Sequence, residues 1–536
     1  DRIKKTEKNM EDWYKITLYR LIEVCKRTAS KYTRSKVRKA LPPDFAYVIE
    51  ELITEKNDMT DKESYYNAIV STIIRIGRAE KFIIAMSELI QRLTVDHLHI
   101  VGDIYDRGPG PHIIMDELMA YHSVDIQWGN HDILWMGAAA GSKACIATVV
   151  RNNLKYNNTK ILENSYGISL RNLALFAEKI YPSEEPMKAA LKAISVMLFK
   201  LEGQVILRNP DYNMTDKLLL HKVNVEKQTV EIDGTEYVIK EEAFPTVNFD
   251  SGDIEDVYQL SEEEDQVMEG LRMAFVNSIR LRQHIDFLYQ KGSMYRIFNG
   301  NLLYHGCVPL DESGNLEGVA FGKKRYHGRE YLDYAERIAR RAWSKDARQK
   351  DRDFMWYLWC GRKSPLSGRN IKTFERTYVL DENTWFEQSN PYYKFYHEEK
   401  VCNMILHEFG LYSESSHIIN GHTPVRTSKG EHPVRANGKL LVIDGGFCKS
   451  YHKTTGIAGY TLIFNSHGIR IKSHQPFQSV YAALTENKDI ESKSELVETE
   501  SERLMVRNTD IGAKIKEDIE GLKMLLRAYR SGDFDV

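Results

Sequence analysis

Four short apolar runs in this 536-residue chain each lead into a turn that combines glycine with a polar side chain. Runs of this length and composition are expected to be strands. The turns carry Asp103, Asn130, His305 and His422. Because ligands of an open α/β sheet collect at the carboxyl ends of its strands, the pattern predicts an α/β fold with a polar site at that edge.

The first two runs belong to one expected strand–helix–strand unit. Residues 97–101 lead into a glycine-rich turn at 102–108, and residues 124–128 lead into a second turn at 129–132. Residues 111–121 lie between them and predict a helix with proline in its first turn. Such a unit is expected to be parallel and right-handed.

Helical periodicity dominates two other regions of the chain. Residues 1 to 90 and residues 140 to 300 contain apolar side chains at helical spacing. Within the second region, two β-rich runs flank Asp233 and Gly234, a dipeptide that favours a tight hairpin turn. The hairpin is predicted over residues 228–239.

The C-terminal part returns to short strands, of which the last two are expected at residues 460–464 and 468–471. Residues 487–502 are polar and predict a loop or weakly ordered segment. Residues 511–529 predict an amphipathic terminal helix. The predicted division is a helical region at 1–90, a core at 91–140 and 300–475, a mostly helical insertion at 141–299, and a linker with the terminal helix at 476–536.

The overall composition excludes some classes of function. Lys and Arg number 74 against 76 Asp and Glu, a formal charge of -2, which argues against a dedicated nucleic-acid or anionic-membrane binder. No apolar run approaches the roughly 18 to 20 residues of a spanning helix, and no signal peptide is seen at the start. The six cysteines are scattered without a CxxC pair, so reduced thiols and a cytoplasmic location are expected.

The four strand-end residues form a chemically coherent set. Carboxylate, amide oxygen and imidazole together suit divalent ions such as Mn, Fe or Zn. Glycine beside each one lets the backbone turn sharply, so that the side chain reaches inward. Asp103, Asn130, His305 and His422 are therefore the predicted metal ligands, while Asp132 either helps to hold the loop or makes a local turn bond.

The motifs also resemble a known superfamily. The chain contains Gly102-Asp103-Ile104-Tyr105-Asp106-Arg107-Gly108, then Gly129-Asn130-His131-Asp132, then a strand-ending His305 and finally Gly421-His422. This order is similar to that of the calcineurin-like metallophosphoesterases. The resemblance implies a sandwich core, here with large helical additions and a small β element, and a site in which two metal ions activate a hydroxide.

The resemblance further implies a role for each motif residue. Asp103 would bridge the two ions, and Asn130, His305 and His422 would complete the shell of the second ion. His131 would be the general acid, oriented by the Asp106 carboxylate. Arg107 would bind the phosphate, for which its planar guanidinium is well matched.

One motif of the superfamily is missing. A D-x-H segment supplies the first metal's ligands in that superfamily, and none occurs in these 536 residues. The sequence Asp96-His97-Leu98-His99 has the wrong spacing. Since the first residue is Asp1 rather than Met, we expect that an N-terminal part is missing; the alternative is an inactive regulatory protein.

A narrower resemblance covers essentially the whole chain. The stretches at 31–47, 97–141, 420–425, 444–459 and 508–530 are similar to those of class III fructose-1,6-bisphosphatases of low-GC Gram-positive bacteria. The resemblance implies removal of the 1-phosphate from fructose 1,6-bisphosphate, with manganese as the usual ion. The alternatives within enzymes are a phosphoprotein phosphatase or a dinucleoside-polyphosphate hydrolase on the same core.

A bisphosphate requires a second anion site away from the metals. Lys449, His452 and Lys453 could form one, and the basic cluster at residues 31–39 is another candidate; for both, plain surface charge is the competing interpretation. The expected partner is a small sugar phosphate, with no nucleic acid and no membrane. The sequence leaves a homo-oligomer open.

Overall fold

A computed structural model describes residues 7, 9–54, 60–457, 459–486 and 492–531. Its backbone divides into two units: Asp1–His99 with Ala120–Val124, and Ile100–Met119 with Asp125–Val536. Helices and strands both contribute, which confirms the α/β class. Among the described residues, no helix combines the length and the apolar character needed to cross a membrane.

The first unit is largely helical. Its helices are α1 (Met10–Ala29), α2 (Arg34–Ala40), α3 (Ala46–Thr54), α4 (Thr60–Arg75) and α5 (Ala79–Thr94). The side chains of Asn9 and Thr33 cap α1 and α2 by accepting backbone N–H groups. Leu18 of α1 and Phe82 of α5 are fully buried in the shared apolar core. The helical prediction is confirmed for the described residues of this region.

The helices of the remaining chain alternate with short strands. They are α6 (Pro111–Ala120), α7 (Asn130–Ala139), α8 (Lys143–Lys155), α9 (Arg171–Ile180), α10 (Pro186–Arg208), α11 (Ile254–Val257), α12 (Glu262–Asn277), α13 (Ile279–Lys291), α14 (Gly328–Ala342), α15 (Gln349–Cys360), α16 (Thr373–Tyr378), α17 (Tyr392–Phe395), α18 (Glu399–Glu408), α19 (Lys449–Thr455), α20 (Val480–Thr485) and α21 (Asp510–Ser531). Helix α8 packs against α7 and α10.

The strands form several small sheets. They are β1 (Leu98–Ile100), β2 (Val124–Gln127), β3 (Val223–Asn224), β4 (Thr229–Ile232), β5 (Thr235–Val238), β6 (Gly292–Ser293), β7 (Tyr295–Phe298), β8 (Asn301–Tyr304), β9 (Val319–Phe321), β10 (Lys324–Tyr326), β11 (Ile418–Asn420), β12 (Val434–Arg435), β13 (Leu440–Val442), β14 (Gly459–Asn465), β15 (Gly468–His474) and β16 (Ser492–Thr499).

Two sheets carry the four predicted strand-end residues. A five-stranded sheet has the order β12-β13-β11-β8-β7, in which β13, β11 and β8 are parallel, with antiparallel strands at both edges. A three-stranded sheet has the order β1-β2-β6, with β2 parallel to β6. Because β8 and β11 are parallel neighbours, the turns that follow them lie at the same edge.

Local turn chemistry explains the element that the sequence located most closely. Strands β4 and β5 pair antiparallel with Ile232 opposite Thr235. Asp233 and Gly234 between them have φ of 51° and 79°, as a two-residue hairpin turn requires. The predicted hairpin is therefore confirmed.

The C-terminal region differs in part from the expectation. Strands β14 and β15 pair as predicted, and α21 forms the terminal helix. Residues 492–499, where a loop was expected, instead form β16, which pairs antiparallel with β15. Its side chains are mostly exposed, so backbone pairing holds the strand in the sheet. Its sequence therefore lacks the alternation of apolar and polar residues that predicts a strand. Residues 487–491 lie outside the described residues.

Candidate active site

The turn after β1 places Asp103 by an unusual backbone path. Gly102 and Asp103 have φ of 93° and 59°. A Cβ atom on Gly102 would lie 2.6 Å from both the Gln127 carbonyl oxygen and the Gly129 nitrogen. Only glycine fits there, so the motif's first glycine allows the turns after β1 and β2 to approach each other.

Asp132 fastens these two turns together. Its fully buried carboxylate accepts backbone N–H groups from Asp103 at 2.8 Å, Tyr105 at 3.1 Å and Gly129 at 2.9 Å. A carboxylate that accepts several backbone bonds organises a loop strongly. Of the two interpretations of Asp132, loop-holding is the one that these contacts support.

His305, the residue directly after β8, is oriented by a backbone carbonyl. Its Nδ1 donates to the Val101 oxygen at 2.6 Å, which leaves Nε2 to face Asp103 and His422. Nε2 lies 3.2 Å from Asp103 Oδ2 and 3.2 Å from His422 Nδ1. A carbonyl bond to one ring nitrogen fixes the tautomer and leaves the other nitrogen available, as in metal-binding histidines.

Electrostatics within this group are strongly coupled. Burial lowers the pKa of His305, but the Asp103 carboxylate outweighs burial and raises that pKa to about 9. Burial, with His305 as a further cause, lowers the pKa of His422 to about 3. Burial opposes ionisation of Asp103, yet His305 and His131 hold its pKa below the usual range. The site thus contains an ionised carboxylate, Asp103, beside an imidazole that favours its protonated form, His305.

The donor set fits a divalent ion. Ligand atoms of Asp103, His305 and His422 all lie within 4.8 Å of one another. Among the described residues, the buried Asn130 Oδ1 and His422 Nε2 find no hydrogen-bond partner. Buried polar atoms are normally paired, so these two atoms are available to a bound ion or its water. His422 also has a φ of 65°, the kind of strain found at functional sites.

A histidine–aspartate pair adjoins the candidate metal ligands. His131 Nε2 lies 3.0 Å from Asp106 Oδ1, and the His131 backbone N–H donates to Asp103 Oδ1 at 3.0 Å. The His131 ring also contacts Trp359 edge-on, with centroids 4.8 Å apart. Backbone and ring are thus both fixed, as a proton-transfer group requires.

Arg107 is held between two aromatic rings. Its guanidinium carbon lies 5.1 Å from the Tyr156 ring centroid and 5.0 Å from that of Tyr451. Its Nε is 3.7 Å from Asp106 Oδ1, and Asn158 Nδ2 donates to its carbonyl oxygen at 2.8 Å. The side chain remains 38% exposed, so it is oriented and still accessible to an anion.

Two further residues near the site were not singled out from the sequence. Asp444 follows β13, and burial, with the charge of Asp103 adding to it, raises its pKa to about 7. Arg369 donates to Thr423 Oγ1 at 3.3 Å, and its buried Nε has no partner among the described residues. Asp444 could have been found, since an apolar run followed by Asp-Gly-Gly has the same character as the motif at Asp103. Arg369 follows no such signal.

The two predicted second-anion sites differ in their surroundings. Lys449 and Lys453 are exposed on α19, while His452 Nε2 donates to the Phe447 carbonyl at 3.1 Å. In the cluster at residues 31–39, Arg34 and Arg38 both pair with Glu50, at 3.0 and 3.1 Å. Ion pairing of this kind supports the surface-charge interpretation for the second cluster.

Fold and site together define an α/β protein with a carboxylate–imidazole centre beside a His–Asp pair and an arginine. A family model described as Firmicute fructose-1,6-bisphosphatase matches residues 1–531. The chain therefore belongs to that family, which confirms the narrower resemblance, the one to class III fructose-1,6-bisphosphatases.

Individual relatives agree with the family match. "Fructose-1,6-bisphosphatase class 3" of Clostridium botulinum (strain Kyoto / Type A2) is 52% identical over 556 residues, spanning 99% of this chain and 82% of the relative. The protein of the same name from Clostridium novyi (strain NT) is 52% identical over 555 residues, spanning 99% and 83%. No solved structure matched the chain.

Proposed function

We propose that this protein hydrolyses the 1-phosphate of fructose 1,6-bisphosphate to give fructose 6-phosphate and inorganic phosphate, a reaction of gluconeogenesis. The family match over residues 1–531 is the observation that carries the proposal. Named relatives at 52% identity support the same substrate.

The metal site is part of the proposal. Asp103, Asn130, His305 and His422 would hold a divalent ion, for which we propose Mn²⁺. The chemistry of such an ion is to stabilise the negative charge that grows on the phosphoryl oxygens. Another ion, which the resemblance counts as the first, is proposed for the active enzyme, but its D-x-H ligands are not among these 536 residues.

The protein's own side chains take the remaining roles. His131 Nε2 faces Asp106 at 3.0 Å, so its Nδ1 is the nitrogen that would deliver a proton to the leaving sugar oxygen. Asp106 would orient the ring. Arg107, fixed by Tyr156 and Tyr451, would donate to the phosphate oxygens.

Architecture and context complete the proposal. The sheets that carry the four strand-end residues would correspond to the two halves of a calcineurin-like sandwich, with residues 91–140 and 300–475 as the core. Residues 1–90, 141–299 and 476–536 would be the helical region, the insertion and the C-terminal extension. The protein would act in the cytoplasm on a small sugar phosphate. Neither nucleic acid nor a membrane would be a partner, and both a monomer and a homo-oligomer are compatible with this function.

A substrate panel tests this function directly. Initial rates of phosphate release would be compared for fructose 1,6-bisphosphate, a phosphoserine peptide and a dinucleoside polyphosphate, each with Mn²⁺ and with a chelator. We expect turnover of the sugar bisphosphate that the chelator abolishes. Hydrolysis of the peptide or dinucleotide without hydrolysis of the sugar would contradict the proposal. Protein that hydrolyses none of the three substrates even with Mn²⁺ would favour a regulatory role.

A further inference from the structure

Two basic side chains donate to Thr377, and two more lie close to them along the chain. Arg151 of α8 donates through Nη2 to Thr377 Oγ1 at 2.7 Å, and Lys240 donates through Nζ to the Thr377 carbonyl at 2.9 Å. Arg376 is the neighbouring residue in the chain. Lys155 lies one helical turn beyond Arg151 on the same face of α8. These residues, Arg151, Lys155, Lys240 and Arg376, are called the Lys155 cluster below.

Carboxylates form few ion pairs with this cluster. Within the part of the chain that the structure describes, Arg376 alone among the four forms an ion pair, with Glu387 at 3.2 Å. Burial lowers the pKa of Lys155, and Arg151, Arg107, Arg376 and Lys240 lower it further. The charges that act most strongly on Lys155 are thus cations, an arrangement that an anion would relieve.

The cluster is continuous with the candidate active site. Tyr156 directly follows Lys155, and its ring centroid lies 5.1 Å from the Arg107 guanidinium. Two residues later, Asn158 donates to the Arg107 carbonyl at 2.8 Å. The chain that ends α8 therefore joins the phosphate-binding arginine to Lys155, and Lys155, Lys240 and Arg376 are exposed to solvent.

We propose that the Lys155 cluster binds a second phosphate group, the one that stays on the sugar when the other is removed. The inference rests on the proposed function, because only a bisphosphate presents a second dianion at a fixed distance from the reacting one. Lysine and arginine donors converging on one point suit a phosphate carrying about two negative charges. Lys449, His452 and Lys453 are the competing location.

Binding of the product isolates this contribution from turnover. Affinity for fructose 6-phosphate would be measured by calorimetry in EDTA, so that no divalent ion holds the phosphate. Loss of one charge-assisted hydrogen bond should weaken binding about tenfold in Lys155→Met. Lys323→Met, at an exposed lysine between β9 and β10, is the matched control and should bind like the unmodified protein.

Other variants and ligands keep the test decisive. Lys240→Met should weaken the same complex, which guards against a folding defect in one variant. Unchanged affinity in both variants, or a loss confined to Lys453→Met, would overturn the inference. Inorganic phosphate distinguishes a free anion from the phosphate group of the sugar. If Lys155→Met weakens the binding of inorganic phosphate but not that of fructose 6-phosphate, the cluster binds a free anion and the assignment to the sugar fails.

Kinetics separate this inference from the proposed function. In Lys155→Met, kcat/KM should fall about tenfold more for fructose 1,6-bisphosphate than for fructose 1-phosphate. An equal fall for both substrates would count against a second-phosphate site. A protein that hydrolyses neither substrate, yet loses fructose 6-phosphate affinity in Lys155→Met, would sink the proposed activity and leave the anion site standing.

Discussion

Single residues near the site adopt conformations that folding alone does not favour. Asp103 and His422 both have positive φ, and Gly102 accepts a contact that no side chain allows. Such strain persists only where the surroundings over-determine it, here through Asp132 and its three backbone N–H partners. Precise placement of Asp103 thus depends on residues that never touch a ligand.

Replacing Gly102 tests this dependence. Gly102→Ala forces a Cβ within 2.6 Å of two backbone atoms, whereas Gly167→Ala adds one to open space at a similarly positive φ of 69°. We expect the Gly167 change to cost about 1 kcal/mol, and the Gly102 change at least about 2 kcal/mol more. Thermal unfolding measures both; equal losses would show that the close approach is unimportant.

The role of His131 predicts a dependence on the leaving group. Proton donation matters when the departing oxygen is a poorly stabilised alkoxide and matters little for p-nitrophenolate. His131→Ala should therefore lower kcat about 10²- to 10⁴-fold on fructose 1,6-bisphosphate and far less on p-nitrophenyl phosphate. An equal loss of kcat on both substrates would indicate that His131 has a structural role and does not donate a proton.

The sequence located the site residues unevenly, for physical reasons. Asp103, Asn130 and His131 lie in dense motifs, because tight turns demand glycine at fixed offsets. His305 and His422 became candidates because each follows a predicted strand. The sheet then brings His305 Nε2 and His422 Nδ1 to 3.2 Å from each other, which the sequence does not show. Arg369 and Lys155 lie near the site only because of the tertiary fold, so no local sequence pattern identifies them as site residues.

At the scale of elements, prediction succeeded where local chemistry decides the outcome. The hairpin β4–β5 follows from the Asp233–Gly234 turn, and helix α21 follows from its apolar spacing. Strand β16 could not be found in this way, since its pairing with β15 lies in the backbone. The parallel neighbours β8 and β11 bring together segments more than 100 residues apart, which periodicity does not report.

Packing of α10 against α15 predicts a pH-dependent stability. Burial raises the pKa of Glu202 on α10 from 4.5 to about 7, and its carboxylate accepts from Trp356 Nε1 at 3.3 Å. Because the folded pKa is the higher one, protonation favours folding: the stabilisation is complete below about pH 4.5 and is lost as pH rises through about 7.

Glu202→Gln removes this titration. Relative to the unmodified protein, the variant should gain up to about 3 kcal/mol of stability between about pH 5 and about pH 8. Thermal unfolding of both proteins across that range measures the difference. A difference that stays constant with pH would mean that the Glu202 carboxyl titrates normally.

At the scale of the whole molecule, the family match over nearly the full chain and the residues of the candidate site support the same function. The match spans residues 1–531, and the four predicted ligands lie in turns at 103, 130, 305 and 422. More than 300 residues separate the first turn from the last, so the site exists only in the assembled fold. A metal ion bound there should therefore report on global stability.

Metal binding should stabilise the folded protein. At about 100 times the dissociation constant, Mn²⁺ should contribute about 2.7 kcal/mol, seen as a rise in melting temperature that EDTA reverses. Asp103→Asn should lose most of this rise, because its ligand oxygen and charge both change. An equal rise in the variant would place the ion elsewhere.

Identifying the product is the most direct test of the proposed removal of the 1-phosphate from fructose 1,6-bisphosphate. The protein would be incubated with fructose 1,6-bisphosphate and Mn²⁺, quenched with EDTA and examined by phosphorus NMR. We expect equal amounts of fructose 6-phosphate and inorganic phosphate, with none formed by Asp103→Asn. Accumulation of fructose 1-phosphate, or product formation that survives loss of Asp103, would contradict this expectation.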